Sequence, residues 1–273
     1  MTRRPDRLRR ALAGSLACAP ALGWAATAVV PKGPRVPILA FHRFAATAQD
    51  SMTVRTANFD AQLRLLQSLS CQVIPLSTWV AWRLAQTQGK DIPLPARAVV
   101  LTADDGHRSQ FEVMAPRLRE RGWPVTLFIY PSAISNAPYA MTWQQLRELA
   151  SDTQVSVQSH TYWHPNLLRE RERMSATAFE RFAISQLQRS RDMLEQRSGR
   201  AVSLLAWPFG LSDDGLAQLA SRAGYLAAFS LGNRSATAAD PPYAVPRHLV
   251  VDSVDTRQLA ARLEAAFGDK AAP

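Results

Sequence analysis

Ala98-Val99-Val100-Leu101-Thr102-Ala103-Asp104-Asp105-Gly106 is the stretch on which the fold turns. Its first six residues are uncharged and mostly apolar, as in a strand buried on both faces, and such a run belongs to a parallel sheet. The run stops at two carboxylates and a glycine, just ahead of a helical pattern at about 109–121. Adjacent carboxylates there serve either as helix-start residues or as a polar site at a strand end. Ser212-Asp213-Asp214-Gly215 is a comparison within the same chain. It follows the turn Pro208-Phe209-Gly210 and a serine, so capping accounts for it. Asp104 and Asp105 stand directly on a strand end, where parallel α/β sheets gather their ligands.

The same alternation extends in both directions. Apolar runs at 36–41, 72–74, 98–102, 125–130, 155–158, 203–206, 225–229 and 245–251 suit buried strands. Helical patterns lie between them at about 58–69, 77–88, 109–121, 142–150, 174–198, 212–223 and 255–267. Ser77, Thr142 and Ser212 are N-cap candidates, and Gly122, Gly199 and Gly224 stand where helices stop. Phe179, Phe182, Ala183, Leu187 and Leu194 share one face of the longest helix and read as core packing. Repeated β/α units predict an α/β fold around a parallel sheet, open or closed into a barrel.

The chain has 273 residues, 47% hydrophobic and 20% charged, with two cysteines and five histidines. Those values exclude a disordered chain, a polytopic membrane protein and a disulfide scaffold. The formal charge is +10, from 32 Lys+Arg against 22 Asp+Glu. Part of it sits at the start, where Arg3, Arg4, Arg7, Arg9 and Arg10 precede an uncharged stretch and Ala26-Thr27-Ala28. Residues 1–28 therefore read as a cleaved export signal, and 29–273 as a single domain in the periplasm or cell envelope, with no stable membrane anchor. A twin-arginine signal at Arg3-Arg4 and lipidation at Cys18 are the variants of that reading. Cleavage leaves 27 basic against 21 acidic side chains, a charge of +6, and Cys71 as the one remaining cysteine. The remaining arginines alternate with acids, as in Arg169-Glu170-Arg171-Glu172-Arg173, which reads as a solvated helix face and not as a nucleic-acid surface.

The histidines are the informative minority. His42 ends the first run, and His160 and His164 follow the run at 155–158 as His160-Thr161-Tyr162-Trp163-His164. His107 follows the Asp pair, and His248 lies in the last run. Two histidines four apart, with a carboxylate from another strand end, make three ligands for a metal and leave a position for water. The same histidines would also suit a surface turn or a core.

Taken together, the segments Thr102-Ala103-Asp104-Asp105-Gly106, His160-Thr161-Tyr162-Trp163-His164 and Pro208-Phe209-Gly210 resemble the motifs of the polysaccharide deacetylases of carbohydrate esterase family 4. Phe41-His42-Arg43 and the segment from Met52 to Leu63 look like the subgroup acting on exopolysaccharides such as poly-β-1,6-N-acetylglucosamine. The resemblance implies a distorted (β/α) barrel of about seven parallel strands. It further implies a hydrolase that removes N-acetyl groups from an acetylated polysaccharide, with a divalent metal, zinc foremost, on Asp105, His160 and His164. Asp104 would be the general base, and the backbone N–H of Phe209 an oxyanion donor. His42 would be the acid, ahead of His248. Association with an exopolysaccharide export machinery is a further partner that it allows.

Departures from the family pattern set expectations of their own. Ala103 replaces a phenylalanine and is expected to reshape the pocket floor. Ala206 stands where many members carry the arginine that holds the base, and Arg247 or Arg43 would have to supply that charge from another strand end. Trp163, Trp207 and Phe209 would form an apolar wall for the substrate, or else pack in the core. The alternatives are peptidoglycan or chitin oligomers as substrate, and a non-catalytic glycan-binding protein on the same fold.

Overall fold

The computed structural model describes residues 33–268. The expected export segment, with Cys18 and its cleavage site, lies outside the described residues. Among the described residues, ten strands and eight α-helices follow one another. The strands are β1 (Ile38–Phe41), β2 (Arg43–Ala45), β3 (Thr53–Arg55), β4 (Gln72–Val73), β5 (Ala98–Asp104), β6 (Val125–Ile129), β7 (Val155–Ser159), β8 (Leu204–Ala206), β9 (Ala227–Phe229) and β10 (His248–Leu249). The helices are α1 (Thr56–Ser68), α2 (Leu76–Thr87), α3 (Ala115–Arg119), α4 (Trp143–Ser151), α5 (Leu167–Glu172), α6 (Ala176–Ser198), α7 (Asp214–Arg222) and α8 (Thr256–Phe267).

Seven strands pair in the order β10-β1-β5-β6-β7-β8-β9, with β4 added beside β5. Every one of these pairings is parallel. The sheet curls, as the family resemblance implies for a distorted (β/α) barrel. A single parallel bridge, Phe229 with Val245, joins the β9 end of the path to the segment leading into β10. That segment is less regular than the apolar run 245–251 predicts, because Pro246 has no N–H to give a ladder and the carbonyls of Val245 and Arg247 accept from Ser230 and Gly232.

Strand alternation sorts side chains into two layers. Ala98 and Val100 of β5 face an interior shared with Ile38, Phe128, Leu204, Ala206, Ala227 and Phe229, to which α2 adds Trp79 and Trp82. Val99, Leu101 and Ala103 face the outer layer, among Leu63, Leu146, Leu187 and other helix residues. The expectation for Ala103 is corrected here: it lies under the helices and not on the pocket floor, since Asp104, one position on, takes the inward side.

Local chemistry also moves some predicted ends. Thr142 caps α4 in a full capping box with Gln145, and Gly199 ends α6 in a left-handed conformation. Asp213, not Ser212, caps α7, and α2 begins after Pro75 with no side-chain cap, so Ser77 does not cap it. The helix expected at 109–121 starts as a π-helical turn, Gln110–Met114. No helix among the described residues is long and apolar enough to cross a membrane.

The small parallel pair β2–β3 escapes sequence reading because each strand has three residues and carries an arginine, so neither stands out as an apolar run. Phe44 of β2 holds it down, with ring centroids 4.5 Å from Phe59 and 5.8 Å from Phe41, while Phe41 and Phe59 lie 5.3 Å apart. Phe59→Ala is expected to lower stability by about 3–5 kcal/mol through the cavity it leaves. Urea unfolding checks this, and a loss below about 1 kcal/mol would show that the site collapses around the gap.

Candidate active site

Asp104 occupies the last inward-facing position of β5. Two parallel hydrogen bonds of 2.7 Å join its carboxylate oxygens to Nη1 and Nη2 of Arg247, a side chain with no solvent exposure. Nη1 also donates to the Thr102 hydroxyl at 3.1 Å, and that hydroxyl donates to the Leu39 carbonyl. The guanidinium lies over the Phe128 ring, 5.1 Å from its centroid. Burial by itself would raise the Asp104 pKa, but the charge and paired hydrogen bonds of the Arg247 guanidinium hold it well below the usual carboxylate range. Of the two arginines the sequence offered for Ala206, Arg247 reaches Asp104. Arg43 instead pairs with Asp50 and stands 3.9 Å from Asp105.

Asp105 follows in a left-handed conformation, φ 78°, with its N–H bound to the Phe128 carbonyl. The turn swings the next carboxylate up and out of the strand plane. Gly106 completes it at φ 73°, where a Cβ would come within 2.9 Å of Ile134. His160 leaves β7 with its N–H on the Ile129 carbonyl. Its Nδ1–H donates to the carbonyl of Ala206 at 2.7 Å, which leaves Nε2 as the unprotonated nitrogen facing Asp105 at 3.6 Å. His164 Nε2 stands 3.7 Å from the same carboxylate oxygen. Thr161 and His164 both adopt left-handed φ, so a tight turn and not a helix brings histidines four apart onto one point. One ligand atom from each of Asp105, His160 and His164 lies within 4.8 Å of the others. Burial and the neighbouring His160 push the His164 pKa down to about 4, so its imidazole is neutral over the ordinary pH range. Two imidazole nitrogens and one carboxylate oxygen fit a divalent, zinc-type ion.

The remaining site candidates separate. His42 Nε2 is 4.0 Å from Asp104, its Nδ1 is buried without a partner, and burial lowers its pKa despite both carboxylates. His248 adjoins Arg247 in sequence but binds the Ser235 hydroxyl, and burial with Arg262 pushes its pKa down to about 4. It touches neither carboxylate. Phe209 sits at φ 60° in the turn Pro208–Gly210, and its N–H makes no hydrogen bond among the described residues. Its ring is 55% exposed and meets His164 edge-on at 4.7 Å.

Trp163 is 45% exposed and, with His164 and Tyr130, lines a cleft of about 430 Å³. Trp207 does not join them, which corrects its assignment to the substrate wall: it is wholly buried in the outer core, its indole N–H on the Tyr243 carbonyl at 2.8 Å. Tyr130 was missed by sequence reasoning. It follows β6, its ring is 5.3 Å from that of His164, and its position at a strand end was the signal available.

A sequence profile described as polysaccharide deacetylase matches residues 91–228. The chain is 24% identical over 204 residues to a poly-β-1,6-N-acetyl-D-glucosamine N-deacetylase of Staphylococcus aureus strain MRSA252, covering 73% of this chain and 68% of the relative. It is 32% identical over 131 residues to an Escherichia coli K12 protein of the same name, covering 43% of this chain and 19% of that one. Among solved structures, Streptococcus pyogenes deacetylase PplD in complex with acetate has a TM-score of 0.71 at 23% identity, over 85% of this chain and 100% of the other. IcaB from Ammonifex degensii has a TM-score of 0.70 at 22% identity, over 85% and 98%. These two share the fold.

Arg247→Met leaves Asp104 buried without its partner and is expected to destabilise the protein by about 3–5 kcal/mol at neutral pH. In the parent, the depressed carboxyl pKa contributes stability that is complete above the ordinary value of 3.8 and lost only as pH falls through the lower folded value. In the variant the carboxyl pKa rises, so the gap between the two proteins should narrow as the solution is acidified. Unfolding curves at neutral and acid pH check the sign. Arg247→Lys restores charge without the paired geometry and should recover only part of the loss.

Proposed function

The chain belongs to the polysaccharide deacetylase family, and from that premise we propose that it is an exported, metal-dependent hydrolase that removes N-acetyl groups from an N-acetylhexosamine exopolysaccharide of the poly-β-1,6-N-acetylglucosamine type. The observation that carries the reading is the pairing of two adjacent carboxylates with different surroundings: Asp105 between two imidazoles, Asp104 clamped by Arg247. The names of the two curated relatives favour the polymer.

Asp105, His160 and His164 would hold the metal, which when bound supplies Lewis acidity toward the amide carbonyl and toward water. Asp104 accepts the proton of the attacking water, and Arg247 keeps it ionised and fixed in orientation. Water oxygen bonds to the acetamide carbon as the carbonyl oxygen gains charge, and the free N–H of Phe209 donates to that oxygen. The C–N bond then breaks, with acetate and a free amine as products. His42, 4.0 Å from Asp104, would receive the proton from it and pass it to the leaving nitrogen. The non-catalytic alternative rests on Ala206 and Ala103; the Arg247–Asp104 pair weighs against the first ground, and the outward-facing position of Ala103 against the second. Residues 1–28 as a cleaved signal, 29–273 as the mature domain in the cell envelope, and association with a polymer export machinery belong to the same proposal.

The test is acetate release by the purified protein from a panel of acetylated glycans, with and without chelator. The exopolysaccharide oligomers should be favoured over chitin and peptidoglycan fragments, and chelation should abolish the activity. Release that survives complete metal removal would overturn the mechanism. Asp105→Ala and His164→Ala should lose metal and activity together while the fold persists. Asp104→Asn should keep the metal and lose about 10²–10⁴-fold in kcat. Loss of metal from Asp104→Asn would move that residue into the ligand set.

A further inference from the structure

Tyr139 divides the surface beside His164 into two clefts, and neither composition nor motif assigns it a role. Its ring is fixed from several directions. The phenol hydrogen-bonds Tyr130 at 2.5 Å, the carbonyl accepts from the Arg108 N–H, and the His107 ring lies parallel to it, 6.2 Å away and tilted by 8°. The bridge between His107 and Ala140 ties the loop to the turn that carries Asp105. A ring so held keeps its place when a ligand arrives, yet it remains 41% exposed.

One cleft, about 430 Å³, lies between Tyr139 and His164. The other, about 470 Å³, lies on the His107 side, with an apolar floor of Phe44, Val113 and Pro138 and polar groups at Gln49, Arg108 and Glu112. A pyranose has both kinds of surface, C–H faces for rings and hydroxyls for amides and carboxylates. Arg108 and Glu112 give this second cleft one charge of each sign, so its lining carries no net pull toward a charged ligand and suits an uncharged sugar.

We propose that the cleft on the His107 side is a second sugar subsite, which takes the N-acetylhexosamine next to the residue being deacetylated, with Tyr139 as the ridge that makes the enzyme sensitive to chain length. The proposal rests on the deacetylase reading for its substrate class. It makes Tyr139 a specificity-determining residue.

The experiment measures kcat/KM for β-1,6-linked N-acetylglucosamine oligomers, from monosaccharide to pentasaccharide. The quantity read is the ratio of trisaccharide to monosaccharide, in which damage to the reacting centre cancels. Tyr139→Ala is expected to lower the ratio about tenfold, as for loss of one stacking contact. Tyr139→Phe keeps the ring, drops the bond to Tyr130, and should keep the ratio. A ratio unchanged in Tyr139→Ala, or lowered as far by Tyr139→Phe, overturns the proposal. If the parent releases no acetate from any oligomer, the deacetylase reading fails, and calorimetric binding of trisaccharide and monosaccharide to parent and Tyr139→Ala decides the subsite by the same ratio.

Discussion

The buried pair of Asp104 and Arg247 is the constraint around which this molecule is arranged. A carboxylate without solvent is costly unless its charge is met and its lone pairs are filled. Here the arginine crosses the barrel interior from the segment before β10 to the end of β5, so two strands separated by β1 are joined by charge as well as by the sheet. Thr102 and Phe128 complete the cradle with a hydroxyl and a ring face. The irregularity of the chain around Val245 and Pro246 suits that crossing, because a fully laddered strand would follow β1 and would not need to bridge to β9.

Backbone strain is concentrated at the same place. Seven non-glycine residues among those described have positive φ, and four of them are Asp105, Thr161, His164 and Phe209. Each costs of order 1–3 kcal/mol and persists only where its surroundings over-determine it. What each turn achieves differs. Asp105 is turned away from Asp104, so that only Asp104 is clamped by Arg247 although His160 lies near both; His164 is brought back onto His160; the Phe209 N–H has no hydrogen-bond partner among the described residues. The carbonyl of Ala206 fixes the His160 tautomer, so position 206 acts on the site through its backbone although its side chain is a methyl group.

The sequence made the parallel sheet, most helices and the trio of Asp105, His160 and His164 legible, because buried strands advertise themselves as apolar runs and their polar ends stand out against them. It did not show which arginine would reach Asp104. That depends on a contact between residues 143 positions apart, and Arg43 stood at an equally plausible strand end. The parity of strand residues explains two misreadings. Ala103 and Asp104 are neighbours in sequence but face opposite layers, and Trp207, next to the turn that exposes Phe209, points into the outer core. β2 and β3, three residues each and outside any apolar run, and the π-helical turn carry too few residues to show a period. Tyr130 stood at the end of an apolar run, where its position was the signal available, whereas Tyr139 was hidden because loop geometry, not pattern, brings it to the site.

The charges explain why Ala206 is tolerated. Two carboxylates meet at this strand end with His42 and His164 shifted toward the neutral form, while Arg247 satisfies one carboxylate completely and Arg43 stands only 3.9 Å from the other. A guanidinium at position 206 would enter the interior already occupied by Arg247 and Phe128, where residue 206 packs wholly buried. Two arginines there would face one carboxylate in a low-dielectric space, and the surplus cation would oppose a metal at Asp105. The small residue at 206 and the arginine at 247 are therefore two halves of one solution, with the positive charge delivered from the segment before β10 so that β8 can offer its carbonyl to His160.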